Sequence, residues 1–285
     1  MDSKTGLLLE GGALRSIFTA GVLDFFMEKE FYVPNVVAVS AGAYVGMNYI
    51  SHQYQRALRT NVDSIKTHPY LGLSTFLKTG ELFDMELLFD RFPNQDDPFD
   101  YQTFLHSDQR FLMSTVNCYT GKPVYFDHFD DGTRLMQIAR ASNSLPLISK
   151  EVVVDGIPML DGGMYDAIPI EKALEEGLSK IIVVFTRTSG YRKVKRRLYM
   201  LLLRIKYHKY PEFIKMVMDR PRRYNDAIDT INELEKQGRA FVIRPIKKPV
   251  KNNETNPEKL RLCYQHGYEC AKSSFDALLN FLKEE

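Results

Sequence analysis

Short apolar runs alternate with longer amphipathic stretches in the first sixty residues. Residues 7–9 and 36–39 have the continuous apolar character of buried strands. A helix is predicted after each strand, over residues 14–29 and 41–58. Strands that alternate with helices are typical of parallel sheets with crossover helices, so the pattern predicts an α/β fold.

The same alternation continues later in the chain, with two hairpins inserted into it. One hairpin turns at Thr120-Gly121-Lys122 and the other at Asp155-Gly156. Strands are predicted at 111–116, 124–126, 152–154, 157–160, 181–185 and 241–244, and helices at 133–141 and 257–283. Residues 60–108 are rich in prolines, aromatics and acids, and we expect short helices and loops there that cover the core as a lid.

Composition narrows the class of protein. The chain has 285 residues and is 44% hydrophobic, so it can bury a sizeable core. Its net charge is only +2, so its overall charge does not indicate a nucleic-acid partner. Its three cysteines lack metal-ligand spacing, and their odd number suits a reducing compartment. The first apolar run is too short for a signal peptide. We expect a cytoplasmic protein without a metal or cofactor.

Ser40 is the most informative residue. It ends the β-branched run 36–39 and begins a run of small residues, Ala41-Gly42-Ala43. A strand that turns sharply into a helix at a serine is a nucleophile elbow, which lifts the hydroxyl out of the sheet. Ala38 replaces the first glycine of the G-x-S-x-G form, and the same residues also occur in ordinary tight turns. Ser40 alone leaves both interpretations open.

A serine nucleophile also needs hydrogen-bond donors for the oxyanion it creates. The segment Glu10-Gly11-Gly12-Ala13 follows the first strand and precedes a helix, which exposes backbone N–H groups at a helix N-terminus. Its spacing does not fit a G-x-G-x-x-G dinucleotide loop, and it lacks the Gly-Lys-Ser/Thr of a Walker A loop. The competing interpretation is a tight strand-helix turn.

The base that would activate the serine is not an obvious histidine. His208 lies in a basic cluster and His266 on a predicted helix face, and neither follows a strand end. Asp161 follows a hairpin strand and precedes Gly162-Gly163, so its carboxylate could accept the serine proton. An ordinary Asp-Gly turn is the alternative.

Taken in order, these segments resemble the patatin-like phospholipase family. The resemblance rests on the loop Glu10-Gly11-Gly12-Ala13-Leu14-Arg15, the elbow Ala38-Val39-Ser40-Ala41-Gly42, the turn Asp161-Gly162-Gly163 and the stretch Ala141-Ser142-Asn143-Ser144-Leu145-Pro146. It covers about residues 5–187, and the chain is most similar to bacterial members.

The resemblance implies a three-layer α/β/α fold with a mostly parallel central sheet. It also implies hydrolysis of lipid acyl esters by a Ser-Asp dyad, without a metal cofactor. Ser40 would be the nucleophile and Asp161 the general base. The N–H groups of Gly11, Gly12 and Ala13 would bind the oxyanion, and Arg15 would support the loop or the acyl head region.

Three residues depart from the family pattern. Glu10 replaces the first glycine of the loop, Ser16 follows Arg15 where a glycine is usual, and Ala38 replaces the first glycine of the elbow. A carboxylate beside an oxyanion hole would oppose the charge that forms there, unless it points away or pairs with a cation. Glu10 therefore motivates an alternative, a catalytically weak or silent member that binds lipid or a membrane surface.

The second feature is a basic segment at 187–223. It holds thirteen Lys or Arg against two acids, a net charge of +11, which leaves −9 for the rest of the chain. Leucines and tyrosines are interleaved with these charges between residues 198 and 210. Such a helix is suited to an anionic membrane surface. The alternative is a solvated face whose leucines pack on the protein. RNA binding is disfavoured, because no sheet or groove is predicted to present the aromatics.

These predictions together describe one domain over residues 1–285. Its catalytic core would occupy about 5–187, a basic helical segment about 188–238, and a C-terminal strand and helix about 239–285. The predicted substrate is a lipid or another acyl ester, and peripheral contact with an anionic membrane through about 187–223 is expected. No nucleic-acid partner is expected.

Overall fold

The predicted apolar runs form the strands of one sheet. A computed structural model describes residues 1–195 and 197–283. Arg196, one of the thirteen basic residues of the 187–223 segment, and the last two residues lie outside the described residues. The strands are β1 (Thr5–Leu9), β2 (Asn35–Val39), β3 (Arg110–Asn117), β4 (Pro123–Phe126), β5 (Val152–Val154), β6 (Ile157–Asp161), β7 (Lys180–Val184) and β8 (Ala240–Ile243).

Five of these strands run parallel, in the spatial order β3-β2-β1-β7-β8. Strands β4, β5 and β6 are antiparallel to their partners, and both β4 and β6 pair with β3. The parallel strands all end at one edge of the sheet. Ligands bind outside the carboxyl ends of such strands in open α/β sheets, so this edge is the place to look for a site.

Helices connect and cover the strands. They are α1 (Ile17–Glu28), α2 (Ala41–Ile50), α3 (Arg56–Asn61), α4 (Leu73–Thr79), α5 (Tyr101–Leu105), α6 (Gly132–Asn143), α7 (Ile170–Glu175), α8 (Arg197–Lys206), α9 (Pro211–Lys236) and α10 (Pro257–Lys283). Short 3-10 helices span Ala13–Ser16, Asp63–Lys66 and Gly162–Met164, and a π-helix spans Leu87–Asp96.

The two faces of the sheet are buried under different helices. Side chains alternate along a strand, so Leu7 and Leu9 of β1 pack into one apolar cluster and Leu8 into another. The first cluster includes α1, α2 and α10, and the second includes α7 and α9. This arrangement gives the predicted three-layer α/β/α architecture with a mostly parallel sheet. Among the described residues no helix has both the length and the apolar character needed to cross a bilayer.

One predicted helix is wrong in its second half. The pattern predicts a single helix over 41–58, but α2 ends at Ile50 and α3 begins at Arg56. His52 and Gln55 adopt left-handed φ values of 56° and 57°, which interrupt the helix. The N–H group of Gln55 donates to the buried carboxylate of Asp24 on α1, so a distant contact fixes the break.

The C-terminal helix α10 crosses α1 at two glycines. A Cβ atom on Gly21 would lie 2.0 Å from the Tyr264 carbonyl oxygen, and one on Gly267 would lie 1.9 Å from the Phe18 carbonyl oxygen. Both neighbours are backbone atoms and cannot rotate away. The two backbones therefore approach more closely than any side chain would allow, which ties the end of the chain to its first helix.

Replacing Gly21 with alanine tests this crossing. Alanine has the higher helix propensity, but the forced separation of α1 and α10 is expected to lower the free energy of unfolding by about 1–3 kcal/mol. Urea unfolding followed by circular dichroism measures the change. Ser273→Ala, on the exposed side of α10, is the control and should change the value by less than about 0.5 kcal/mol. Equal stability of the two variants would contradict the prediction.

Candidate active site

Two strand ends meet along one edge of β3. Val39 of β2 lies opposite Ser114, and Asp161 of β6 lies opposite Thr115. Strand β4 pairs with β3 at the same two positions, so it occupies the opposite edge. Strand β2 runs parallel to β3 and β6 runs antiparallel, so their carboxyl ends point toward each other. The register of the sheet thus brings Ser40 and Asp161 together across 121 residues of chain.

Ser40 adopts a backbone conformation that few serines adopt. Its φ is 57° and its ψ is −135°, and it links the end of β2 to the first residue of α2. Its N–H group donates to the Ser142 hydroxyl at 3.0 Å, and this hydroxyl donates to the Ser114 carbonyl at 2.7 Å. Strain of this kind costs about 1–3 kcal/mol and persists only where neighbours hold it in place. The turn has the geometry of a nucleophile elbow.

The side chains of Ser40 and Asp161 form a hydrogen bond. The Ser40 Oγ donates to Asp161 Oδ2 at 2.5 Å, and Oδ1 accepts from the Gly163 N–H at 2.7 Å. Asp161 is almost fully buried, and burial raises the pKa of its carboxyl to about 6 although both hydrogen bonds lower it. A carboxylate with this pKa is ionised at neutral pH and is still basic enough to accept a proton.

The loop after β1 presents two backbone donors. The N–H groups of Gly12 and Ala13 have no hydrogen-bond partner among the described residues, and Ala13 has a left-handed φ of 47°. The N–H group of Gly11 donates to the Ala167 carbonyl at 3.1 Å, so it is not free for a substrate. This corrects the expectation that Gly11 is an oxyanion donor. The N–H group of Ala41, the first residue of α2, also has no hydrogen-bond partner among the described residues, and it is a candidate donor that the sequence reasoning missed.

The carboxylate of Glu10 points away from the nucleophile. Its Oε2 accepts from the N–H of Thr186 at 2.5 Å and from the Thr186 hydroxyl at 2.9 Å, and its Oε1 accepts from the Tyr224 hydroxyl at 2.7 Å. Thr186 follows β7, on the side of β1 opposite to β2 and Ser40. The hydrogen-bond partners of Glu10 therefore lie on the side of β1 away from Ser40. The alternative of a catalytically weak or silent member stays a prediction.

Arg15 turns to the same side as Glu10. The structure gives its guanidinium no hydrogen bond to the loop among the described residues, and its Nε is buried without a partner. Burial lowers the pKa of the Arg15 guanidinium and the nearby charge of Arg187 lowers it further, whereas Glu10 raises it. Loop support by Arg15 through hydrogen bonds is thus not seen.

An apolar cavity lies on the other side of the nucleophile. It has a volume of about 60 Å³, and its wall is mostly apolar. Ala13, Ser40 and Ala41 line it, and its other polar lining residues are Ser16, Asn61 and Asn143. Segment 60–108, predicted to cover the core, supplies much of this wall, namely Tyr70, Phe83, Met85, Leu88 and Phe89. Ser40 belongs to its lining, and a cavity of this size suits a short apolar group such as the first carbons of a hydrocarbon chain.

The remaining candidates lie away from this site. His208 is exposed, and the His266 ring packs edge-on against Phe18. All three cysteines are free thiols, buried or half-buried. Within residues 1–195 and 197–283, no group of three or more His, Cys, Asp or Glu side chains is arranged to hold a metal ion.

Comparisons with known proteins match two parts of the chain. The family model described as patatin-like phospholipase matches residues 7–174, and a domain of unknown function (DUF6363) matches residues 210–283. The uncharacterized protein YjjU of Escherichia coli (strain K12) is 30% identical over 188 residues, 64% of this chain and 52% of that protein. The chain thus spans about half the length of this relative.

A solved structure gives a more distant likeness. The crystal structure of VipD from Legionella pneumophila superposes with a TM-score of 0.47 at 12% identity, and the match covers 96% of this chain and 67% of that one.

Proposed function

This chain belongs to the patatin-like phospholipase family, and we propose that it is a serine hydrolase that cleaves acyl esters of lipids through Ser40 and Asp161. The observation that carries the proposal is the 2.5 Å hydrogen bond from the Ser40 hydroxyl to a buried carboxylate at a strained strand-helix turn. An isolated serine hydroxyl is a weak nucleophile, and an adjacent base is what activates it.

The proposed reaction has two steps. Ser40 Oγ attacks the ester carbonyl carbon while its proton passes to Asp161 Oδ2, and the negative oxygen accepts hydrogen bonds from the N–H groups of Gly12 and Ala13. The carbon–oxygen bond to the alcohol breaks, and the alcohol leaves with the proton from Asp161. Water then attacks the acyl-serine with Asp161 as base, which releases the fatty acid and restores the Ser40 hydroxyl.

Membrane contact through the basic segment is the second part of the proposal. Helix α8 buries Leu203, but Leu198, Leu201 and Ile205 are 70%, 54% and 65% exposed. They share the helix with Arg197, Arg204 and Lys206, and the described residues give none of these three an ion pair. Exposed aliphatic side chains beside basic groups without ion pairs favour insertion of this helix into an anionic lipid surface, rather than packing of these side chains on the protein.

Replacing Ser40 with alanine tests the nucleophile. Hydrolysis of a short-chain p-nitrophenyl ester is expected to fall by at least about 10³-fold, because the covalent step is lost. Labelling by a fluorophosphonate probe should also disappear. Ser273→Ala, which lies far from the site on α10, should keep both signals. A Ser40→Ala variant that turns over ester at the rate of the wild type would overturn the mechanism.

The pH dependence tests the base. Since Asp161 must be ionised to accept a proton and has a pKa of about 6, kcat/KM is expected to fall about tenfold per pH unit below pH 6 and to level off above it. Asp161→Asn should lower kcat by about 10²-fold or more. Asp24 is the matched control, because burial also raises the pKa of its carboxyl to about 6 outside the site.

In the Asp24→Asn variant, the fall of kcat/KM below about pH 6 should remain. If this fall of kcat/KM survives in Asp161→Asn and disappears in Asp24→Asn, a group other than Asp161 sets the pH dependence. Circular dichroism at each pH separates loss of activity from unfolding.

Co-sedimentation with vesicles tests the membrane surface. A variant with Leu198, Leu201 and Ile205 changed to serine should bind anionic vesicles about 10- to 100-fold more weakly, because it loses apolar area that the bilayer would bury. High salt should also weaken binding of the wild type. Leu262→Ser, which changes a 72% exposed leucine on α10, is the control. Equal recovery of the wild type with neutral and anionic vesicles would contradict the prediction.

A further inference from the structure

Helix α9 reaches the turn that carries Asp161, although it comes from a later part of the chain. It belongs to residues 210–283, which match the domain of unknown function. From this helix, Arg220 donates through its Nε to the Gly163 carbonyl at 2.6 Å. The N–H group of Gly163 donates to Asp161 Oδ1 at 2.7 Å, and Asp161 Oδ2 accepts from Ser40. A series of three hydrogen bonds thus connects α9 to the nucleophile.

The turn itself, Gly162–Met164, packs on the sheet and on the helices of the basic segment. A Cβ atom on Gly162 would lie 2.5 Å from the Ser114 carbonyl oxygen, so the backbone of β3 lies directly against the turn. Met164 is buried in an apolar cluster that includes Leu203 of α8 and Phe213 of α9. Within this turn, the orientation of the peptide groups of Gly163 depends on their hydrogen bonds, since glycine has no side chain to restrict its backbone.

A second arginine of α9 anchors the helix to the same region. Arg223 donates through its Nε to the Tyr165 carbonyl at 2.9 Å, and its guanidinium lies 4.4 Å from the centre of the Tyr165 ring. It also forms a salt bridge with Asp219 at 3.2 Å. Arg223 and the apolar cluster already attach α9 to this part of the protein. The specific contribution of Arg220 is its contact with the glycine that binds Asp161.

Arg220 also brings a positive charge to Asp161 that no carboxylate pairs with directly. In the described part of the chain Arg220 forms no salt bridge, and the adjacent acid, Asp219, pairs with other arginines of α9. Burial raises the pKa of the Asp161 carboxyl to about 6, whereas its two hydrogen bonds and then the charges of Arg220 and Lys193 lower this pKa. Loss of Arg220 would therefore raise the pKa of Asp161 further.

Two other titratable groups interact with the Asp161 carboxylate. Burial raises the pKa of Tyr199 on α8 to about 12, although the charge of Arg220 lowers it, so the Tyr199 hydroxyl is neutral near pH 6. Burial and then the charge of Arg220 hold the pKa of Lys193 well below its usual range, although Glu10 raises it. Of these three groups, only Arg220 keeps its charge over the whole pH range of an assay, because a guanidinium does not lose its proton there.

We propose that Arg220 is a positioning residue for the general base. It holds the carbonyl of Gly163, so that the N–H group of Gly163 stays on Asp161 Oδ1 and the other oxygen, Oδ2, faces the Ser40 hydroxyl. Its positive charge also stabilises the ionised carboxylate, which is the form that accepts a proton. The inference rests on the proposed function of Ser40 and Asp161, and it deepens that function by assigning part of α9 to the site.

Replacing Arg220 with methionine tests the inference through the pH profile for a short-chain p-nitrophenyl ester. The variant loses the charge and the Nε donor, both of which favour the ionised form of Asp161. The pH below which kcat/KM falls is therefore expected to rise by about 0.5–1 pH unit. The maximal kcat should fall by about 10-fold, because the base is less well oriented. Arg220→Lys keeps the charge, so its profile should stay within about 0.3 pH unit of the wild type.

Two variants separate positioning of the base from anchoring of the helix. Lys236→Met removes the charge of a side chain that is 75% exposed further along α9, and it should leave the profile unchanged. Arg223→Met weakens the anchor at Tyr165, so it should lower the free energy of unfolding without raising the pH at which kcat/KM falls. An equal rise of this pH in Arg220→Met and Arg223→Met would mean that anchoring alone sets the profile, and the assignment of Arg220 would be wrong.

Nuclear magnetic resonance separates this inference from the catalytic proposal, because it needs no substrate. The carboxyl carbons of aspartate are labelled with ¹³C, and the signal that is missing in Asp161→Asn is followed against pH. A higher Asp161 pKa in Arg220→Met than in the wild type supports the inference even if Ser40→Ala remains fully active, in which case the catalytic proposal alone fails. An equal pKa in the two proteins refutes the inference. Circular dichroism checks the fold, and Arg220→Gln replaces Arg220→Met if that variant does not fold.

Discussion

The site depends on the edge of β3 that β2 and β6 share. Strands β2 and β6 approach from opposite directions, and their last pairs with β3 fall at the neighbouring positions Ser114 and Thr115. This register sets the backbone positions of Ser40 and Asp161. The end of α6 adds further connections, since the Ser142 hydroxyl bridges the Ser40 N–H and the Ser114 carbonyl, and the Ser144 carbonyl accepts from the Asp161 N–H. A shift of β6 by one residue would turn Asp161 to the opposite face of the sheet and separate it from Ser40.

The carboxyl edge of the sheet divides into three neighbouring parts. Ser40 and the N–H groups of the β1 loop lie in the middle, an apolar cavity lies toward α2 and the 60–108 segment, and a cationic cavity lies toward β7 and β8. Ala13, Leu14 and Ser16 of the 3-10 turn line the apolar cavity, whereas the cationic cavity, which contains Arg187 and Arg244, is lined by residues that follow β7 and β8 and by α9.

Sequence patterns predicted the parts of the fold that depend on interactions between residues close together in the chain. The strands, the hairpins and the long C-terminal helix followed from periodicity and turn residues, and the elbow at Ser40 followed from small residues after a β-branched run. The errors came from contacts between distant segments. The Ala167 carbonyl accepts the hydrogen bond of the Gly11 N–H. Thr186 and Tyr224 bind the Glu10 carboxylate on the side away from Ser40. Asp24 accepts from the Gln55 N–H where the helix predicted over 41–58 is interrupted. No sequence pattern near Gly11, Glu10 or Gln55 indicates those partners.

The left-handed backbone of Ser40 has a consequence for the evolution of this chain. Glycine would adopt φ 57° and ψ −135° at lower cost than serine, so selection for stability alone would favour glycine at this position. A lineage that stopped using the hydroxyl would gain stability by that single change. The residue found at this turn in related sequences therefore reports whether the hydroxyl is still in use, independently of how far the rest of the chain has diverged.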